Sequence, residues 1–143
     1  MTLVLQQLDN QIVKCVDAIK VLDQDYNVEI YTPEIDIIRG KYSFNIMPRS
    51  TRTAKMSAEH DLQNLLIDIF FHYDMEADDD YKTAWGLFMT KANDVLVAIF
   101  NKQNFMIGIS TVVVDIDFDN SLIEQERMIS LTYKCEYKMF ASR

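Results

Sequence analysis

With 143 residues, 49% of them hydrophobic and only three Gly and two Pro, the chain has enough apolar surface for the core of one domain, and a single α+β domain over residues 1–143 is expected. A formal net charge of -8 excludes a broad basic footprint for gripping nucleic acid by its phosphates. No apolar run reaches the ~18 residues of a membrane span, and the start lacks the charged opening and small-residue cleavage site of a secretory signal, so a soluble protein made in the cytoplasm is expected.

The first element is a helix, since Leu5, Leu8, Ile12, Cys15, Val16, Ile19 and Leu22 recur at helical spacing while Gln6, Gln7, Asp9, Lys14, Asp17 and Lys20 fall mostly on the other side. Residues 23–27 form its exit. A short strand at residues 28–31 stops before Pro33 and belongs near a sheet edge. Tyr42, Phe44 and Ile46 then alternate with Lys41, Ser43 and Asn45 in a second strand that Pro48 is expected to end.

Residues 49–57 are polar, without apolar periodicity, and read as a long exposed loop. Arg39, Lys41, Arg49, Arg52 and Lys55 occur with no acid between Ile38 and Ala58, an odd excess in so acidic a chain. A solvated loop is the simplest reading. Docking of Arg49, Arg52 and Lys55 on an acidic surface of a neighbour is the functional one.

Leu65, Ile67, Ile69, Phe71 and Tyr73 alternate with Leu66, Asp68, Phe70 and His72; with large apolar groups on both faces, this third strand is expected to be central. His72 has no nucleophile or paired carboxylate at a recognisable spacing and reads as a buried structural histidine, and His60 is weaker still. From residue 80 to 103, Tyr81, Ala84, Trp85, Phe88, Ala92, Val95, Leu96 and Ile99 make the wide apolar stripe of a second helix, which needs a sheet to lie across. The run Asp78, Asp79, Asp80 offers its N-cap, and Lys102 and Asn104 suit its other end.

Strand character returns over residues 105–119, where a change of parity between Ile109 and Val112 predicts a bulge near Ser110 and Thr111. A turn at residues 119–126 leads to a last strand setting Ile129, Leu131, Tyr133, Cys135, Tyr137 and Met139 against Ser130, Thr132, Lys134, Glu136 and Lys138. The two strands fit a hairpin whose outer face pairs acids with lysines. The fold expected is therefore α+β, a single mainly antiparallel β-sheet packed by two helices in the order α-β-β-β-α-β-β.

Little in this pattern points to catalysis. Cys15 and Cys135 form no CxxC and read as buried reduced thiols, and no metal or cofactor is expected. Asp117, Glu136 and Lys138 mimic the carboxylate and lysine set of a metal-dependent nuclease, but a match this short carries a high false-positive rate. The run from Asp115 through Asp117 to Asp119 lacks the Gly and terminal Glu of a calcium loop.

The whole layout resembles the tail terminator proteins of tailed bacteriophages: an N-terminal helix, two short strands, a long loop, a strand ending in Phe71, His72 and Tyr73, an acidic start to a long helix, and a hairpin closing on the strand from Ile129 to Tyr137. That resemblance implies a structural virion protein with no enzymatic role, forming a hexameric ring that caps the tail tube and joins it to the head-neck connector, with genome DNA passing through the lumen without specific binding. Arg49, Arg52 and Lys55 then become candidate contacts to the next subunit or the tube, and Asp78, Asp79, Asp80, Asp119, Glu124 and Glu126 candidate lumen residues. Alternatives are another phage neck, tail-tube or baseplate subunit, the nuclease, and an adaptor that binds a peptide along an exposed strand.

Overall fold

The computed structural model describes residues 4–32, 42–55, 60–75, 80–121, 123 and 127–142. Helix α1 (Val4–Leu22) and strand β1 (Asn27–Ile30) are followed by β2 (Tyr42–Lys55), β3 (His60–Asp74), α2 (Tyr81–Phe100), a single 3-10 turn (Lys102–Asn104), β4 (Ile109–Asp119) and β5 (Met128–Ser142). The strands form one sheet in the order β1-β2-β3-β5-β4. Only β1 runs parallel to its neighbour; the other pairings are antiparallel. The expected element order, the central third strand and the edge position of the first strand are all present.

The strict alternation of β3 and β5 builds the core. Leu65, Ile67, Ile69, Phe71 and Tyr73 lie opposite Tyr137, Cys135, Tyr133, Leu131 and Ile129, and all ten are essentially inaccessible to solvent. The helices cover this inner face. From α1 come Leu8, Ile12, Cys15 and Ile19, and from α2 come Ala84, Phe88, Ala92, Val95 and Ile99. Phe88 reaches Phe71 with ring centroids 4.7 Å apart, Phe71 stacks on Phe44 at 4.3 Å, and the Tyr133 hydroxyl donates to the Ala92 carbonyl at 2.6 Å. The first and last of these contacts tie α2 to the sheet and the second ties β2 to β3, each through large buried side chains, the dominant source of stabilisation in a domain of this kind.

Local chemistry fixes the element ends. The Asp80 side chain accepts from the Thr83 N–H, as its N-cap assignment requires. At the other end Asn104 donates to the Ala98 carbonyl at 2.9 Å, while Asn101 accepts from the Gln103 N–H. Gly108 then turns the chain into β4 with φ near +99, and a Cβ there would lie 3.2 Å from the Met139 methyl, so both backbone and space call for glycine. The predicted bulge is real: the register of β4 against β5 shifts between Ile109 and Thr111.

Four expectations need correction. Residues 49–55 are not a loop, because β2 continues through Pro48 to Lys55, hydrogen-bonded along its length to β3. The register shift between Pro48 and Ser50 absorbs the proline, as a bulge on an edge does. β3 accordingly starts at His60 rather than Leu65. Residues 105–108 form a turn and not the start of a strand. Leu5, placed on the buried stripe of α1, is 70% exposed, whereas Gln11 is fully buried there.

Candidate subunit interface

Beyond Ile46, where its pairing with β1 ends, β2 has β3 on one side and no strand on the other among the described residues. This stretch of edge carries the basic residues. Arg49, Arg52 and Lys55 are all exposed. Register divides them: Arg52 lies opposite Asn64 and Lys55 opposite Asp61, residues of opposite parity on β3, so they point to opposite faces. Arg49 sits with Arg52 on the outer face, where its Nε is 3.3 Å from Asp68 Oδ1. Partial burial pushes the Asp68 carboxyl above its ordinary value, and Arg49 and Lys134 pull it back down.

No helix among the described residues covers the outer face, which can be read row by row across the sheet. Nearest the β2–β3 turn come Arg52, Asn64, Lys138 and Thr111; further along come Met47, Asp68, Lys134 and Asp115; at the far end come Ser43, His72, Ser130 and Asp119. The first corner is basic and the opposite corner, at the β4 edge, is acidic. Lys134 and Asp117 make the acid–lysine pair expected of the hairpin, with Nζ 2.7 Å from Oδ2.

The lumen candidates divide according to what holds them. Asp80 is occupied as a helix cap, and Asp119 accepts from both the backbone and the hydroxyl of Ser121, bonds that hold its carboxyl below the ordinary range. Both lie at the end of the sheet away from Lys55: Asp119 is opposite Ser130 near the start of β5, and Tyr81, next to Asp80, lies under the Arg127 guanidinium at 5.1 Å. Asp78, Asp79, Glu124 and Glu126, like Arg39 and Lys41, lie outside the described residues.

The nuclease set is not assembled. Asp117 faces Thr132, four residues along β5 from Glu136, a separation of about 13 Å. Its carboxylate is held by Lys134, while Glu136 accepts from Asn64 Nδ2 at 3.0 Å. No group of three His, Cys, Asp or Glu side chains suited to a metal occurs among the described residues. The two cysteines are free and buried; Cys15 lies 3.3 Å from the Tyr137 hydroxyl, and burial pushes its thiol up to about 11. His72 is buried on the outer face, its Nδ1 2.7 Å from Ser130 Oγ, with its pKa lowered by burial and raised in part by Asp119. Sequence reasoning missed Gln11, whose amide donates to the Asn104 carbonyl and accepts from the Met106 N–H, pinning the turn after α2 to α1. A polar residue beside Leu8, Ile12 and Cys15 on the apolar stripe was the available signal.

No helix among the described residues is long and apolar enough to cross a membrane. No protein-family model matches the chain, and no curated protein matches its sequence. Among solved structures, the fold is similar to a chain from the virion of a native gene transfer agent particle, with a TM-score of 0.55 and 11% identity over 91% of this chain and 92% of the other. A second similar chain comes from an extracellular contractile injection system, in a structure of its sheath/tube terminator in the extended state. There the TM-score is 0.43 and the identity 10%, over 93% of this chain and 57% of the other. The fold of this chain is thus shared, nearly end to end, with a chain of a phage-like particle.

Proposed function

We propose that this chain is a structural virion subunit of the tail terminator kind, a single α+β domain that assembles into a hexameric ring on the tail tube and joins it to the head-neck connector. The observation that carries the reading is the bipolar outer face: a basic half-strand at one corner and an acidic strand at the other, on a chain whose net charge of -8 otherwise opposes self-association. The end-to-end fold likeness to a chain of a gene transfer agent virion supports it. So do the apolar side chains left on the outer surface of α2, among them Leu87, Val97 and Phe100, which suit burial against other subunits.

In this reading Arg49, Arg52 and Lys55 hold a neighbouring subunit or the tube. The acidic end that includes Asp80 and Asp119 faces the lumen, and Asp78, Asp79, Glu124 and Glu126 stay lumen candidates on charge alone. Acidic walls let DNA slide, because each Lys or Arg that neutralised a phosphate would add salt-dependent affinity. Two measurements test this. The assembled protein, titrated with duplex DNA at low salt, is expected to show little retention; tight binding would overturn the sliding channel. Reversing Arg49, Arg52 and Lys55 to Glu is expected to leave the monomer folded and abolish assembly on tail tubes, and a triple variant that assembles normally would remove the basic residues from the interface.

A further inference from the structure

Among the described residues the sheet has two open edges, and they differ in charge. On one side, β1 pairs with β2 only as far as Ile46, which leaves residues 48–55 with no strand beside them on that side among the described residues, and with Arg49 and Arg52 on the outer face. On the other side, β4 is the last strand in the sheet order and is at most half-buried along its length, with Asp115, Asp117 and Asp119 on that same outer face. Long bare edges recruit further strands unless something prevents it. Here two β4 edges brought together would oppose acid to acid, and two β2 edges would oppose arginine to arginine. Only the unlike pair attracts.

We infer that successive copies of this chain join edge to edge, residues 48–55 of β2 in one copy adding to β4 of the next, so that Arg49 and Arg52 lie against Asp115 and Asp117 on one continuous outer face. This rests on the ring reading above and names the surfaces from which the ring is built. Strand direction fits. From β2 through β3 and β5 to β4 every pairing is antiparallel, so β4 runs opposite to β2. Copies related by rotation about an axis near the strand direction keep that sense and meet as an antiparallel pair.

The register follows from the rows. Arg52 shares a row with Asn64 and Lys138, while Asp115 shares one with Asp68 and Lys134, four residues along β3. Sliding the neighbour by that amount, about 13 Å along the strands, sets Arg52 beside Asp115 and Ser50 beside Asp117, with Arg49 at the Asp117 end. A stagger of this kind is what tilted strands in a closed sheet require. Because each copy offers a different edge on each side, the contact is heterologous and propagates head to tail until it closes.

Charge exchange between two chains tests the pairing. One variant carries R49E/R52E, so that both its edges are acidic; the other carries D115K/D117K, so that both are basic. Each alone is expected to lose assembly in light scattering while keeping its circular dichroism and a cooperative melt, and a one-to-one mixture is expected to regain it by alternating. Because Asp117 also pairs with Lys134 within the chain, a second measurement stands independent of folding at that site. Mixed R52C and D115C chains are expected to form an interchain disulfide that neither forms alone, Cys15 and Cys135 being buried. Reversed chains that still assemble alone, a mixture that stays monomeric, or cross-linking of R52C to itself would overturn the edge pairing while leaving the ring reading in place. A wild-type protein that never assembles would instead overturn the ring reading, and the pairing with it.

Discussion

The two halves of β2 share one strand and one hydrogen-bonded ladder yet have opposite surroundings. From Tyr42 to Ile46 the side chains are buried or nearly so, Phe44 stacked on Phe71 and Tyr42 on Tyr73 at 4.9 Å. From Arg49 to Lys55 they are almost all exposed, although the backbone pairs just as regularly with β3. Burial and backbone pairing are separate properties, then: the first half of the strand has both and belongs to the core, and the second has pairing alone, which holds a row of exposed charges in a fixed register. Substitutions in the buried region are expected to act on stability, and those in the exposed half on assembly.

The largest expected effect lies under α2. Phe88 is fully buried against Phe71, and Phe88→Ala is expected to cost about 3–5 kcal/mol in a denaturant melt. Trp85 is half-buried, meeting Phe88 at 6.0 Å and Phe118 at 5.9 Å, and Trp85→Ala should cost less, about 2 kcal/mol. Equal losses at the two positions would mean that α2 sits on the sheet differently. Tyr133→Phe keeps the ring but removes the buried hydroxyl that reaches the Ala92 carbonyl, for an expected loss of about 1 kcal/mol.

His72 sharpens the comparison through pH. Its burial beside Ser130 disfavours the charged form, so its folded pKa lies below the unfolded value. The unfolded chain therefore binds the proton first as pH falls, and stability drops below the ordinary histidine range until the folded pKa is passed. His72→Gln is expected to flatten that part of the stability curve, as measured by urea melts across mildly acidic pH; an unchanged slope would place the titrating group elsewhere. A small effect on stability belongs to the exposed half of β2. Reversing Arg49, Arg52 and Lys55 to Glu removes one surface ion pair, that of Arg49 with the partly buried Asp68, and is expected to change monomer stability by about 1 kcal/mol.

The same division explains what was legible from residue order. The helices, β3 and the β4–β5 hairpin, bulge included, were readable because each buries one face, and burial writes a period of 3.6 or 2 into the sequence. The second half of β2 was not. With Thr51 and Thr53 on one parity, Ser50 and Arg52 on the other and almost nothing apolar on either, it has no period to read, and its strand state is imposed by the ladder to Asp61, Gln63 and Leu65. The candidate interface residues stand out in the sequence as a charge anomaly, Arg49, Arg52 and Lys55 in a stretch without acids. That Arg49 shares a face with Arg52 was not legible there, because it depends on the register shift after Pro48. The nuclease set shows the converse limit: Asp117 and Glu136 share a face by parity, yet lie too far apart along the hairpin to act together.

The central claim, that these charged edges serve a closed ring, is tested most directly by the mass and symmetry of the purified protein. Light scattering combined with negative-stain microscopy is expected to give a particle of about six copies with a central opening and rotational symmetry, the closure that a heterologous contact permits. A monodisperse single chain at every concentration, or a two-fold dimer in which each copy offers the same surface, would contradict the account.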